Sequence, residues 1–185
     1  GGNTGITGPL CGNPDLKPET SVTQEFGLSY QWAPASLFTA TVYNTNFRNK
    51  VVSFDSGLPD PLFPNSNNHL FVYDNVDKVT IRGLELGVKM PISRTLNLDA
   101  NYSYTQSKRQ GGTETAFNGS SLDGQPLERT PKHMLNARLD WQATSALQTY
   151  ARMNFSGGAR YAAYRNYAQS TRSRASSATF DLGGN

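Results

Sequence analysis

The feature that most constrains this chain is a strict alternation of apolar and polar residues between Val22 and Trp32. Five of the six even-numbered positions are apolar, and none of the odd-numbered positions is. Successive side chains of a β-strand point to opposite faces, so a period of two predicts a strand with one apolar and one polar face.

Three further segments repeat this pattern, at 96–104, 135–141 and 147–156. Across the four segments the apolar phase has twenty positions and no charged residue, whereas the polar phase has seventeen positions, five of them charged. One face of the predicted sheet therefore meets an apolar environment, and the other meets water.

Two more strands are predicted from less regular patterns. The segment 37–52 carries apolar residues in both phases, and the segment 73–90 changes phase between Ile81 and Leu84. A β-bulge at Gly83 would explain that change, because one extra residue shifts the register by one. A seventh strand is predicted to begin near Ala178.

The connections between these strands alternate between short and long. The predicted short turns are 33–36, 91–94 and 143–145, and the predicted long polar links are 54–70, 107–130 and 157–177. This alternation is typical of an up-and-down barrel with tight periplasmic turns and long extracellular loops.

Aromatic residues favour a membrane barrel over a soluble β-sandwich, which would also have one apolar face per sheet. Trp32 and Trp141 end the apolar phase before short turns, and Tyr102, Tyr104 and Phe155 close it at the long-link end. Transmembrane barrels carry such girdles at both lipid–water interfaces. We therefore predict an all-β, antiparallel up-and-down meander that forms a partial transmembrane β-barrel wall around a hydrated lumen.

Composition excludes several other classes of protein. No run approaches the roughly 20 apolar residues of a spanning helix, and a net charge of +3 is too small to indicate a nucleic-acid binder. A single cysteine, Cys11, excludes an internal disulfide framework; it either pairs outside this segment or stays a free thiol. His69 and His133 are far apart in sequence, so we expect no metal site, and we predict that the protein is not an enzyme. His133 is instead expected to be an interfacial side chain.

Two motifs resemble signatures of TonB-dependent outer-membrane receptors. The first, GNPDLKPETS at 12–21, leads into QEFGL at 24–28, and the second is YDNVDKVTIRGLE at 73–85. The segments YNTNFRNKV at 43–51 and PLERTPKH at 126–133 match further elements of the same family. The pattern is most similar to the branch of ferric enterobactin and colicin I receptors.

The resemblance implies a barrel of 22 strands with a plugged lumen. Residues 1–185 would supply about seven strands from its C-terminal half, as a fragment of the barrel domain without the plug domain and the final strands. The implied function is TonB-dependent uptake of a ferric siderophore, of the catecholate type, across the bacterial outer membrane.

The same resemblance implies a set of partners. These are the ferric siderophore as transported ligand, TonB through the plug, outer-membrane lipid and lipopolysaccharide, and colicins or phages. No covalently bound cofactor and no nucleic-acid partner are expected. Two alternatives stay open: a passive outer-membrane porin, which would lack the receptor motifs, and a soluble β-sandwich with an adhesive role.

The link at 157–177 has the composition expected for binding an anionic, aromatic ligand. It contains no acidic residue, and its arginines and tyrosines are Arg160, Tyr161, Tyr164, Arg165, Tyr167, Arg172 and Arg174. Guanidinium groups and phenol rings suit a ferric tricatecholate through charge and cation–π contact. The arginines could instead bind lipopolysaccharide phosphates or be solvated. Lys108 and Arg109, at the mouth of the preceding long loop, have the same two interpretations.

Two wall features are also predicted. The prolines at 14 and 18 fix φ, so the segment 14–19 is expected to be a stiff lead-in to the strand that starts near Ser21. Glu25 is expected to point into the lumen, where Arg82 or Lys89 would be its partner; a structural wall contact is favoured over ligand binding.

Overall fold

The computed structural model describes residues 10–65, 69–111, 121, 123–165 and 168–184. Within these ranges only the backbone is described for residues 10–11, 52–57, 69, 71, 76–77, 161–165 and 168–171. The side chain of Cys11, expected to be either a free thiol or paired outside this segment, therefore lies outside the described part of the chain.

Ten strands are present in the described residues. They are β1 (Leu10–Cys11), β2 (Thr20–Ala33), β3 (Ser36–Pro59), β4 (His69–Pro91), β5 (Leu96–Gln110), β6 (His133–Gln142), β7 (Gln148–Ser156), β8 (Ala159–Arg165), β9 (Ala168–Arg174) and β10 (Ser177–Gly184). All seven predicted strands are confirmed, as β2 to β7 and β10. Within the same residues, no helix has the length and apolar character needed to cross a bilayer.

Seven of these strands form one antiparallel sheet in the order β2-β3-β4-β5-β6-β7-β10. Neighbours in this sheet are also neighbours in sequence, apart from the β8–β9 hairpin inserted between β7 and β10. The short strand β1 pairs in parallel with β4 near Phe71. Because β2 and β10 lie at the two ends of the order, the sheet is an open segment of barrel wall, as predicted.

The register places the apolar phase of every wall strand on one face, which we call the outward face. Direct partners in an antiparallel sheet share a face. One row across the sheet consists of Leu28, Ala40, Leu86, Tyr102, Leu135, Phe155 and Ala178. The next row consists of Tyr30, Phe38, Val88, Ala100, Ala137, Met153 and Phe180. Such rows form a continuous apolar band.

The apolar band is not covered by other parts of the described chain. Phe26 and Phe180 are each 72% exposed, and Leu28 is 54% exposed. Among the described residues, Val79 is the only apolar side chain that is fully buried. An exposed apolar face of this extent in water would be an aggregation liability, whereas acyl chains would solvate it.

The β-bulge predicted at Gly83 is wrong. Gly83 pairs directly with Tyr43 on β3 and Thr105 on β5, and neither ladder shifts register there. A Cβ at Gly83 would overlap the ring of Tyr43, whose hydroxyl lies 3.1 Å from Thr105 Oγ1. The glycine therefore makes room for an inward-facing tyrosine. The phase changes because Ile81 faces inward, whereas Leu84 begins the outward apolar band.

The long links are shorter than predicted because strands continue beyond the apolar band. Pairing of β3 with β4 extends to Pro59 opposite His69, and β5 reaches Gln110. The link predicted at 157–177 contains the hairpin of β8 and β9. These extensions and the hairpin lack clean alternation, so the period of two did not indicate them.

Candidate functional site

The candidate site lies at the end of the sheet from which the long links emerge. Residues 123–131 run beside the C-terminal end of β5. Strand β6 begins only at residue 133, so it does not pair with this end of β5. The backbone N–H of Arg109 donates to Gln125 O at 3.0 Å, and its carbonyl accepts from Gly124 N at 2.9 Å. This link is therefore fixed to the wall by backbone hydrogen bonds.

Arg160 joins the same link to the β8–β9 hairpin. Its Nη1 donates to Gln125 Oε1 at 2.8 Å, and its carbonyl accepts from Arg129 N at 2.7 Å. The hairpin is held at its base as well, because Gly157 N donates to His133 O at 2.7 Å. Arg160, predicted from composition as a ligand contact, thus has a structural role between two loops.

The pairing of β8 with β9 also sets the positions of other residues predicted in this link. Tyr161 lies directly opposite Arg172, and Ala159 lies opposite Arg174. The side chains of Arg172 and Arg174 are exposed, and Arg174 Nη2 lies 3.4 Å from Ser177 Oγ. The side chains of Tyr161, Tyr164 and Arg165, and all of Tyr167, lie outside the described part, so their ligand contacts stay predictions.

Lys108 and Arg109 lie on opposite faces of β5. Lys108 pairs with Thr80 and shares the outward face, whereas Arg109 pairs with the inward-facing Val79. Arg109 Nη1 donates to the carbonyl of Pro126 at 3.4 Å, within the link described above. Lys108 is exposed on the outward side. This placement argues against the prediction that Lys108 contacts a ligand together with the hairpin arginines.

Two ion pairs lie on the inward face of the wall towards the short-turn end. Arg138 Nε lies 3.0 and 2.9 Å from the two carboxylate oxygens of Asp140, and its Nη2 lies 2.7 Å from one of them. The guanidinium carbon also lies 4.4 Å from the centre of the Tyr150 ring. Lys89 Nζ is 3.1 Å from Asp99 Oδ2. The inner wall is thus polar, as predicted for a hydrated lumen.

The predicted partners of Glu25 are wrong. Arg82 lies on the outward face, opposite to that of Glu25, and its Nε donates to Asn44 Oδ1 at 2.9 Å. Lys89 shares the inward face but pairs with Asp99. The sequence prediction placed Arg82 inward because it assumed the bulge at Gly83.

Two of the motifs meet at Asn75. Its Oδ1 accepts from Lys17 N at 2.8 Å, and its Nδ2 donates to Lys17 O at 3.0 Å and to Asn49 O at 2.6 Å. Asn49 Nδ2 in turn lies 3.3 Å from Pro18 O. The segment 13–18, predicted to be a stiff lead-in to β2, is therefore held against β3 and β4 by hydrogen bonds. Sequence reasoning missed Asn75, although its place inside a motif was a signal.

Interfacial aromatic residues surround His133 on the outward face. Tyr102 Oη lies 2.8 Å from His133 Nδ1, and the ring of Tyr104 lies 5.1 Å from the imidazole, between ring centres. His133 therefore lies beside two of the tyrosines that the sequence predicts for the membrane interface. Among the described residues, no three His, Cys, Asp or Glu side chains are close enough to share a metal ion. This end of the sheet offers guanidinium, amide and hydroxyl groups, which bind anions, together with the carboxylates of Asp123 and Glu128.

Comparison with known proteins shows the family of this chain. The family model described as TonB dependent receptor-like, beta-barrel matches residues 1–185. The iron-regulated outer membrane virulence protein of Vibrio cholerae is 32% identical over 154 residues, covering 81% of this chain and 22% of the relative. The ferric enterobactin receptor of Pseudomonas aeruginosa is 33% identical over 156 residues, covering 80% of this chain and 19% of the relative.

Solved structures show the same wall. A mutant of the ferric enterobactin receptor from Pseudomonas aeruginosa, in complex with enterobactin, superposes with a TM-score of 0.69 at 27% identity. The match covers 95% of this chain and 25% of that chain. The chain spans about a fifth of the length of the curated relatives named above. It belongs to the TonB-dependent receptor β-barrel family, and its seven wall strands are part of a transmembrane barrel of the bacterial outer membrane.

Proposed function

We propose that this chain is part of a receptor that takes up a ferric siderophore of the catecholate type, with energy supplied by TonB. The observation that carries the proposal is the hairpin of β8 and β9, which presents arginines at the extracellular end of a receptor-family barrel. The relatives named as ferric enterobactin receptors support the catecholate class. They are receptors by name, and we propose no catalytic residue.

The charge of the hairpin link suits this ligand class. Residues 157–177 include four arginines, three tyrosines and no acidic side chain. A ferric tricatecholate spreads negative charge over aromatic rings, which guanidinium groups contact through both charge and stacking. We propose ligand contact for Arg172, Arg174 and Arg165, with Tyr161, Tyr164 and Tyr167 supplying ring contacts.

Arg160 and Arg109 have a second role in this proposal. Arg160 Nη1 is bound to Gln125, and Arg109 Nη1 lies against the carbonyl of Pro126. They hold the link at 123–131 and the hairpin in one unit, so the other arginines are presented on an ordered scaffold. A ligand site whose side chains are held in place loses less conformational entropy on binding.

The wall supplies a polar path beneath this site. Four of its inward-facing charges form two ion pairs, Arg138 with Asp140 and Lys89 with Asp99. At these two pairs an anionic complex that passes along the wall meets no uncompensated cation that would retain it. We propose that the plug of the whole receptor, moved by TonB, opens this path.

The proposal is tested with the full-length receptor and ferric enterobactin. The double variant Arg172→Ala/Arg174→Ala should weaken binding roughly tenfold, because each exposed cation–π or charge contact contributes about 0.5–1 kcal/mol. The matched control is Arg94→Ala, an exposed arginine in the periplasmic turn 92–95. Binding is measured by fluorescence quenching, and uptake by radioactive iron in cells.

Two results would contradict the proposal. Unchanged affinity and uptake in the double variant, and in the triple variant Arg160→Ala/Arg165→Ala/Arg172→Ala, would remove the hairpin from the site. Tighter binding of a ferric hydroxamate than of ferric enterobactin by the unmodified receptor would exclude the catecholate class.

A further inference from the structure

Two inward-facing side chains, Lys132 and Met134, lie where β6 begins, and we call them the inner-rim pair. Met134 lies opposite Ser103 of β5 and opposite Ser156 of β7, both on the inward face. Thr105 N donates to Lys132 O at 2.9 Å, which continues the register of β5 with β6 by one pair. Side chains two positions apart on a strand share a face, so both members of the pair point into the lumen.

The inner-rim pair lies at the extracellular mouth of the barrel. His133, between the two in sequence, contacts Tyr102 and Tyr104 on the outward face, at the predicted membrane interface. Gly157 N donates to His133 O at 2.7 Å, so the β8–β9 hairpin starts directly beside the pair. The inner-rim pair therefore lies between the hairpin and the lumen.

Neither side chain of the pair is engaged by the part of the chain that the structure describes. Lys132 is exposed, and its Nζ has no ion pair or hydrogen bond there. Met134 is 42% exposed, although its partners on the inward face are serines. Lys89, an inward-facing lysine of β4, instead pairs with Asp99 at 3.1 Å. An uncompensated ammonium group beside an exposed thioether is suited to a ligand that is both anionic and aromatic.

The guanidinium group of Arg174 borders the same space. Its Nη2 lies 3.4 Å from Ser177 Oγ, and Ser177, Ser156 and Met134 form one inward row across β10, β7 and β6. Because neighbouring strands lie about 4.8 Å apart, this row spans on the order of 10 Å, with only small side chains beside Met134. A planar ring could therefore lie on the wall between two cations, Lys132 and Arg174.

We infer that the inner-rim pair, together with Arg174, binds one catecholate ring of the ferric complex, as the floor of the site that the β8–β9 hairpin presents. The ammonium group of Lys132 attracts the negative charge and the face of the ring, and the thioether of Met134 contacts the ring edge. A chelate without aromatic rings would lose both ring contacts. The inference rests on the proposed function for its ligand class, and it adds contacts on the barrel wall to those proposed for the hairpin.

Protection of Lys132 from acetylation tests the contact directly. Full-length receptor in micelles is treated with the N-hydroxysuccinimide ester of acetate, with and without ferric enterobactin, and each lysine is followed by mass spectrometry. With ligand at about ten times its Kd, only about one receptor in eleven is free, so acetylation of Lys132 should slow roughly tenfold. Lys108 is the matched control, because it is exposed on the outward face of β5 and should react at an unchanged rate.

Substitutions test whether the contact contributes to affinity. Lys132→Gln should weaken ferric enterobactin binding roughly two- to fivefold, the effect of one exposed cation–π contact, and Lys132→Arg should restore most of the affinity. Met134→Ser should weaken binding by a similar factor. Lys108→Gln is the control and should bind as tightly as the unmodified receptor. Affinity is measured by fluorescence quenching.

Three results would overturn the inference while ferric enterobactin still binds the unmodified receptor. The first is acetylation of Lys132 at the same rate with and without ligand. The second is a Lys132 that is already unreactive in the ligand-free receptor, because the plug then covers it. The third is unchanged affinity in folded Lys132→Gln and Met134→Ser variants; if these do not fold, acetylation of the unmodified receptor decides. Absence of binding by the unmodified receptor would instead overturn the proposed function, and this inference with it.

Discussion

The side-chain amide of Asn75 forms two reciprocal hydrogen bonds with the backbone of Lys17, accepting from its N–H at 2.8 Å and donating to its carbonyl at 3.0 Å. An amide pairs with a peptide group in the way that one β-strand pairs with another. Two motifs are thereby joined through residues that lie 58 positions apart in sequence. The chain before β2 is fixed at the extracellular end of the β3–β4 hairpin as a result.

Replacing Asn75 should destabilise this junction. Asn75→Ala removes three hydrogen bonds, and since each contributes about 1 kcal/mol, the free energy of unfolding should fall by about 2–3 kcal/mol. Asn75→Asp keeps the acceptor for Lys17 N–H and should show a smaller loss. The measurement is guanidinium unfolding of the full-length receptor in micelles. An effect no larger than that of Asn97→Ala, at an exposed position of β5, would show that the junction is not stabilising.

Gly83 and Tyr43 should be energetically coupled. Gly83→Ala places a Cβ inside the volume of the Tyr43 ring, so overpacking should cost about 1–3 kcal/mol. In a Tyr43→Ala background the same change should cost little, because the ring is gone. Gly27→Ala is the control, since its Cβ would meet only Thr41 Oγ1 at 3.6 Å. Additive losses in the double variant would contradict this packing.

A charge placed in the apolar band should be far more costly than one placed on the lumen face. Leu86→Arg is expected to lower the stability of the receptor in liposomes by about 2–4 kcal/mol. Ser103→Arg, opposite Glu85 on the inward face, is expected to change it by less than about 1 kcal/mol. Equal effects at the two positions would show that the faces are assigned incorrectly.

The pair of Arg138 and Asp140 should show a coupling that depends on salt. Their side chains are 37% and 26% exposed, so solvent screens the interaction even though the contact is bidentate. A double-mutant cycle with Arg138→Gln and Asp140→Asn should give about 1 kcal/mol in low salt. In 1 M salt, where the screening length is about 3 Å, most of this should disappear. A coupling that salt does not change would indicate a buried pair.

Much of the wall could be predicted from the sequence because one physical constraint repeats along it. Acyl chains exclude charge from one face of the sheet, and water favours charge on the other. The alternation between Val22 and Trp32 therefore predicts which face of β2 points outward. The same constraint predicts β5, β6 and β7 and the direction of their two faces. This constraint no longer acts where lipid and water do not lie on opposite faces of the sheet. The sequence pattern therefore predicts loops where β3 continues beyond residue 52 and where the β8–β9 hairpin forms.

The site was less predictable, because its contacts depend on register and on distant partners. The change of phase near Gly83 predicts a bulge that would place Arg82 on the inner face, and only the pairing of Gly83 with Tyr43 and Thr105 shows that the register continues. Composition identified Arg160 but could not reveal its contact with Gln125, 35 positions away. Lys108 and Arg109 are adjacent cations with the same predicted role, but they lie on opposite faces of β5.

The most direct test of lipid contact is the accessibility of spin labels along β4 of the full-length receptor in liposomes, with every native cysteine, including Cys11, replaced by serine and labels attached one at a time. Labels at residues 84, 86 and 88 should collide more with oxygen, which partitions into acyl chains. Labels at 85 and 89 should collide more with a water-soluble nickel chelate. Such alternation with a period of two is the predicted result. Labels at 84, 86 and 88 that are shielded from both reagents, or that favour the nickel chelate, would contradict the lipid-facing band.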